Sequence, residues 1–262
     1  KILEKKKIIK INLSHLEAYK HSRILEKKLS NFLFLELNKL HSVNFTYRQW
    51  YIILGYWLRR FSNVVFYRYY LVDQIFKRYN FKSFTFYLNH QDIICNKNSY
   101  SFIKSTNDLK WNDILFNKIV QLKAEFSKKK FNFNYYSKRK YILQNFYPYS
   151  NQRIILKILD NFLSLFIKSQ DNLIKINKIS YFESLKLNIK FKQIFRFNIF
   201  PDENILDKTN YEKRKKLIKN IKLKNFSPFE ISKKLIFQYL PETYFENFDS
   251  NLKLAKKINF PQ

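Results

Sequence analysis

From Thr46 to about Tyr79 the sequence reads as one long helix whose apolar residues cover most of its faces. Thr46 and Gln49 have the spacing of a capping box, and Trp50, Ile53, Leu54, Trp57, Leu58, Phe61, Val64 and Val65 follow. A helix apolar almost all round must be central and covered by other elements. A second capping box, Ser14 with Glu17, opens a helix carrying Leu25, Leu29, Phe32, Leu33 and Leu40. Together they predict an aromatic-rich helical hairpin over about 14–79.

Past the hairpin the period changes. Phe84 to Leu88 reads as a strand, and Tyr100 to Ile103 is a candidate second strand. Thr106 or Asn107 caps a helix with Trp111, Ile114, Leu115, Ile119 and Leu122. Residues 127–150 are basic and aromatic without a clear period, and a helix is expected after Ser150 to about Lys168. Lys186 to Lys192 alternates strictly, as a half-exposed strand does. A charged helix is expected near Lys208 to Lys222. Ser227-Pro228-Phe229-Glu230 supplies an N-cap, a proline at the first helical position and a glutamate at the third. That helix ends by Leu240-Pro241, and a short one follows. Helices alternating with strands predict an α/β layered fold, the hairpin packed on a small sheet, with an α/β portion over about 80–262.

The chain's 262 residues suffice for a large hydrophobic core, and 46% of them are hydrophobic. Its net charge of +30 has two readings. One is a polyanionic partner such as RNA. The other is drift in an A/T-rich genome, which enriches Lys, Asn, Ile, Phe and Tyr and leaves one glycine. Lys outnumbers Arg, the better fork for phosphates, and the basic runs at Lys128–Lys130 and Lys213–Lys216 are short, as solvated faces are. Non-specific polyanion binding is expected under either reading.

Cys95 is the only cysteine, so no internal disulfide can form, and it reads as a buried small hydrophobe beside Ile94. With one glycine there is neither a P-loop nor a dinucleotide fingerprint, and no cofactor is expected. His15, His21, His41 and His90 lack ligand spacing, so no metal is expected. Glu36, Asp73 and Asp113 read as partners for the abundant cations. No segment has the ~20 apolar residues of a membrane span. A chain without methionine is expected to be an excerpt from a longer reading frame.

The densest segment runs from Asn38 to Arg68. It holds Asn38-Lys39-Leu40-His41, Gln49-Trp50-Tyr51, Gly55-Tyr56-Trp57-Leu58 and Arg68. Trp50 and Trp57 lie seven apart on one helix face, which suits a core stripe. Gly55 costs up to ~1 kcal/mol mid-helix relative to Ala, which predicts a close helix contact or backbone approach there. His41 and Arg48 fall at the helix–helix junction, where packing alone explains a polar group less well.

This segment resembles a transferase family encoded in bacterial gene clusters for surface polysaccharide, O-antigen included. That family carries an Asn–x–x–His element, a Tyr-Trp pair and a Gly-Pro-Trp-Leu element on one long helix with an arginine beyond it. Here Gln49 replaces the tyrosine, Tyr56 the proline, and Tyr51 an arginine that often follows the pair. Asn107 to Asp113, with Trp111 and Asn112, resembles a downstream Asp–x–x–Trp-Asn element. Leu240 to Phe248, with Glu246, resembles the Pro–x–x–Leu-Glu segment that closes the family's first half.

The resemblance runs from about Ser14 to Gln262 and covers about half of a family member. It implies a glycosyltransferase-like first lobe, the acceptor side, which would not catalyse transfer alone. A nucleotide-activated donor would bind mainly in the following half, and a sugar or lipid-linked acceptor would bind here. Asn38, Arg48, Arg68 and Asn112 would bind substrate, and His41 is the candidate for acid–base work. Trp50, Gly55, Trp57, Trp111 and Glu246 would be structural. The implied location is the cytoplasm or the inner face of the membrane. An RNA-binding or ribosomal-type protein and a purely structural lobe are the alternatives.

Overall fold

Both expected capping boxes form, and they fix the hairpin. The computed structural model describes residues 13–88, 94–137, 183, 186, 189–190 and 209–257. Ser14 Oγ accepts from the Glu17 amide, whose carboxylate in turn accepts from the Ser14 amide, each at 3.2 Å, opening α1 (His15–His41). Thr46 and Gln49 repeat the exchange at 3.3 and 2.8 Å to open α2 (Tyr47–Arg78). Ser42, in the left-handed conformation at φ 51°, terminates α1. Only five residues, 42–46, separate α1 from α2, so the helices pack as an antiparallel pair.

The buried face of α1 is Leu25, Leu29, Leu33, Phe34 and Leu37, the i, i+4 ladder of a core-facing helix. On α2, Trp50, Leu54, Trp57, Leu58, Phe61, Val64 and Val65 are all buried. They are covered by α1, by α3 (Ser99–Ser105), by α4 (Leu109–Ser127) and by α6 (Pro228–Tyr239). Phe102 packs on Trp57 and Phe61, Tyr239 packs on Phe61, and Trp111 sits edge-on to both Phe102 and Tyr239. The core of this unit is therefore an aromatic layer between helices.

The sheet is small. β1 (Ser83–Leu88) and β2 (Asn132–Ser137) pair in parallel, with Phe84 opposite Phe133 and Phe86 opposite Tyr135. A parallel pair needs a crossover, here supplied by α3 and α4. Two strands alone are marginal in water. Rings stabilise this pair: Phe84 packs on Phe76 at 5.4 Å and on Phe131 at 5.3 Å. The C-terminal end of α2 and α4 rest on the sheet, and the described structure is mostly helical with this one small parallel sheet.

Several expectations are corrected. Tyr100 to Ile103 is not a strand but lies in α3, because Asn98 Oδ1 caps the Ser101 amide at 2.8 Å and Phe102 turns fully inward. The cap of α4 is Asp108, not Thr106 or Asn107. Residues 127–150 conceal β2, where half-buried Phe133 and Tyr135 alternate with exposed Asn132, Asn134 and Tyr136. At the expected strand Lys186 to Lys192, the described residues Lys186, Ile189 and Lys190 are helical and exposed. The helix expected after Ser150 lies outside the described residues.

As expected, Ser227 Oγ accepts from the Glu230 amide and Pro228 opens α6. It follows α5 (Tyr211–Asn220) and precedes α7 (Glu242–Phe245). The chain divides into two compact units. One comprises Lys1–Phe146 and Lys208–Glu246 and holds everything described so far except the helical residues near 189. The other comprises Tyr147–Asp207 and Asn247–Gln262 and includes those residues and α8 (Phe248–Lys257).

Candidate functional site

The catalytic and substrate residues expected from the sequence fall into two groups along α2, with Asn38, His41 and Arg48 at its start and Arg68 and Asn112 further along. Arg48 and Arg68 are twenty residues apart, about 30 Å along a helix axis. They do not share a cleft.

At the hairpin turn, Asn38 is fully engaged with its own surroundings. Its Oδ1 accepts from the Phe45 amide at 3.0 Å and from Trp50 Nε1 at 2.8 Å, and its Nδ2 donates to the Phe45 carbonyl at 3.0 Å. One amide side chain thus holds the turn and orients the first tryptophan. Asn38→Ala leaves three polar groups without their partner and is expected to cost about 2–3 kcal/mol of stability, read from the urea midpoint. His41 is buried, its Nε2 3.1 Å from the Tyr244 carbonyl oxygen. Arg48 is exposed, with no partner among the described residues.

Gly55 answers to its own helix. A Cβ there would stand 3.1 Å from the Tyr51 ring, which lies across the glycine; the expected approach is intrahelical. The Tyr51 hydroxyl then donates to Glu26 Oε1 at 2.6 Å. Glu26 is buried, and Arg23 pairs with it as well.

At the far end of α2 the structure joins two of the predicted substrate residues. Arg68 Nη2 donates to Asn112 Oδ1 at 2.6 Å. Asn112 Nδ2 donates to the carbonyls of Thr106 and Asp108 at 2.9 and 2.8 Å, fastening it to the start of α4. Arg60, which sequence reasoning passed over, reaches the same place: its Nε and Nη2 donate to Thr106 Oγ1 at 3.0 and 2.7 Å. Its only sequence signal was position, two turns before Arg68 on one helix. Burial, followed by the nearby charge of Arg60, lowers the proton affinity of Arg68.

The remaining motif residues are structural in their geometry. Trp111 is buried against Phe102 and Tyr239. Glu246 accepts from Arg214 Nε and Nη2 at 2.7 and 2.6 Å and from the Asn210 amide at 2.9 Å. Arg214 corrects the reading of its basic run as a solvated face: its neighbours are exposed, but it is fully buried. Cys95 is buried, and that burial raises its pKa. Of the three acids, Glu36 pairs with Lys39, Asp73 with Lys77 and Lys123, and Asp113 accepts from the Tyr87 amide. A cavity of about 340 Å³, walled in part by Leu25, Phe66 and Phe229, also holds His21, Lys28 and Glu230, which sequence reasoning had not gathered.

Residues 8–262 match the family model of the LIC12162 family transferase. The chain belongs to the LIC12162 transferase family. No curated protein and no solved structure matches it. As a LIC12162 family transferase, the chain carries the motif segment in α1 and α2, where Asn38, Trp50 and Trp57 serve the packing of the hairpin. Where the resemblance has an arginine, this member has Tyr51, whose hydroxyl supplies buried Glu26 with a donor. No described helix is long and apolar enough to cross a membrane.

Proposed function

We propose that this chain is the acceptor-side part of a glycosyltransferase-like enzyme of bacterial surface-polysaccharide synthesis. It contributes acceptor binding and one wall of the cleft, and a nucleotide-activated donor is held mainly by residues beyond it. The observation that carries this reading is the Arg68–Asn112 pair. Two residues from separate motif elements, 44 positions apart, meet with a charge-assisted hydrogen bond. A guanidinium and a carboxamide side by side suit a ligand bearing phosphate or sugar hydroxyls.

The partly buried Arg68–Asn112 pair favours this reading over a flat RNA-binding face, and the family match supports a transferase. In this proposal the hairpin turn is scaffold and the ligand meets the Arg68 end of α2. Deleting the gene in its source cell is expected to remove or shorten the surface polysaccharide on a gel, and the intact gene to restore it. An unchanged polysaccharide after deletion would sink the proposal.

A further inference from the structure

Arg60 and Arg68 differ from Arg23, Arg59 and Arg214. Arg23 and exposed Arg59 share the carboxylate of Glu26, and buried Arg214 grips Glu246. Among the described residues, Arg60 and Arg68 have no carboxylate within ion-pairing distance. Arg60 meets only Thr106 Oγ1 and Asn107 Oδ1, and Arg68 only Asn112 Oδ1 and, at 5.9 Å, the face of Phe116. Asp108 and Asp113 lie in the same stretch but are turned to other work. Asp108 caps α4 through the amides of Lys110 and Trp111, and Asp113 accepts from the Tyr87 amide.

Two like charges held half out of water beside neutral oxygens are costly, and an anion between them removes that cost. Arg68 Nε is out of water and has no partner among the described residues. The neutral contacts fix both forks: Thr106 Oγ1 is itself anchored to the Ile103 carbonyl at 2.7 Å, and Asn112 to the Thr106 carbonyl. They hold the guanidiniums and leave Nη1 of each without a partner among the described residues. Planar forks with spare N–H groups match the oxygens of a phosphoryl group.

We propose that Arg60 and Arg68, positioned by Thr106 and Asn112, form a clamp for a diphosphate. The clamp rests on the transferase reading, in which the diphosphate comes from the activated donor or from a lipid-linked acceptor. It assigns Arg60, which belongs to no motif element, to the same ligand as Arg68.

The test is a titration of the purified chain with sodium pyrophosphate at constant ionic strength. It is followed through the Nε–H NMR signals of Arg60 and Arg68, assigned with Arg60→Lys and Arg68→Lys. The backbone amide of exposed Arg48 serves as the reference for the indiscriminate attraction of a +30 chain. Both signals are expected to saturate together, at least tenfold below the concentration that shifts the reference, and Arg60→Lys to weaken the Arg68 response at least tenfold. Tighter binding of a nucleoside diphosphate than of pyrophosphate would assign the clamp to the donor. Tighter binding of a short prenyl diphosphate would assign it to the acceptor. Linear shifts equal to the reference, or an Arg68 response indifferent to Arg60→Lys, would overturn the clamp. A clamp that fails while the gene still restores the polysaccharide leaves the transferase reading standing. A working clamp with no polysaccharide phenotype leaves only the anion site.

Discussion

Arg214→Met is expected to lower the free energy of unfolding by about 3–5 kcal/mol, measured as a fall in the denaturant midpoint without a large change in slope. Arg214 is fully buried, and its guanidinium satisfies four acceptor oxygens. It donates twice to Glu246 and, through Nη1, to the carbonyls of Phe237 and Leu240 at 2.8 Å each. The Phe245 ring lies 4.4 Å beneath it. Methionine fills much of the space but leaves the Glu246 carboxylate buried with only the Asn210 amide, and leaves two carbonyls without donors. An uncompensated buried charge is the costlier half of a broken pair, so Arg214→Met combined with Glu246→Leu should recover part of the loss. Since a domain of this kind has about 5–15 kcal/mol in all, the single variant should fold poorly at 37 °C. A loss below about 1 kcal/mol would show that this junction of α5, α6 and α7 is not held by the pair.

Trp57→Ala is expected to cost about 3–5 kcal/mol by the same measurement. Trp57 is fully buried and packs on Phe61 at 5.1 Å and Phe102 at 5.7 Å, so removing the indole opens a cavity between α2 and α3. Phenylalanine separates packing from hydrogen bonding. Trp57 Nε1 has no partner among the described residues, whereas Trp50 Nε1 donates to Asn38. Both rings are equally buried, so Trp50→Phe should cost more than Trp57→Phe by about 1 kcal/mol, the worth of a buried hydrogen bond. Equal losses would mean that Asn38 does not hold the indole.

Helix starts were the most legible part of the chain, because a cap is local chemistry: Ser14, Thr46 and Ser227 act with residues three positions on. The strands were less legible. β2 is six residues long and its Phe-Asn alternation sits in a basic stretch that masks it, while α3 is too short to show a helical period. Long-range pairings were beyond reach. Arg214 stands in a run of four basic residues, and only its contacts across 32 positions with Glu246 set it apart from the lysines around it. Gly55 was correctly marked as a tight place, but its neighbour is Tyr51 on its own helix. In the candidate site, Arg68 and Asn112 were each picked out, and their contact could not be read from residues 44 apart. Arg60 was missed for the same reason: its partner, Thr106, is 46 positions away.

The central claim is that ligand binding belongs to the Arg68 end of α2 and that the hairpin turn is scaffold. Its most direct measurement is complementation of the gene deletion with point variants of the full reading frame, scoring surface polysaccharide at matched protein level. Arg68→Ala is predicted to abolish restoration and Arg48→Ala to leave it intact. Restoration by Arg68→Ala, with loss in Arg48→Ala, would contradict the account.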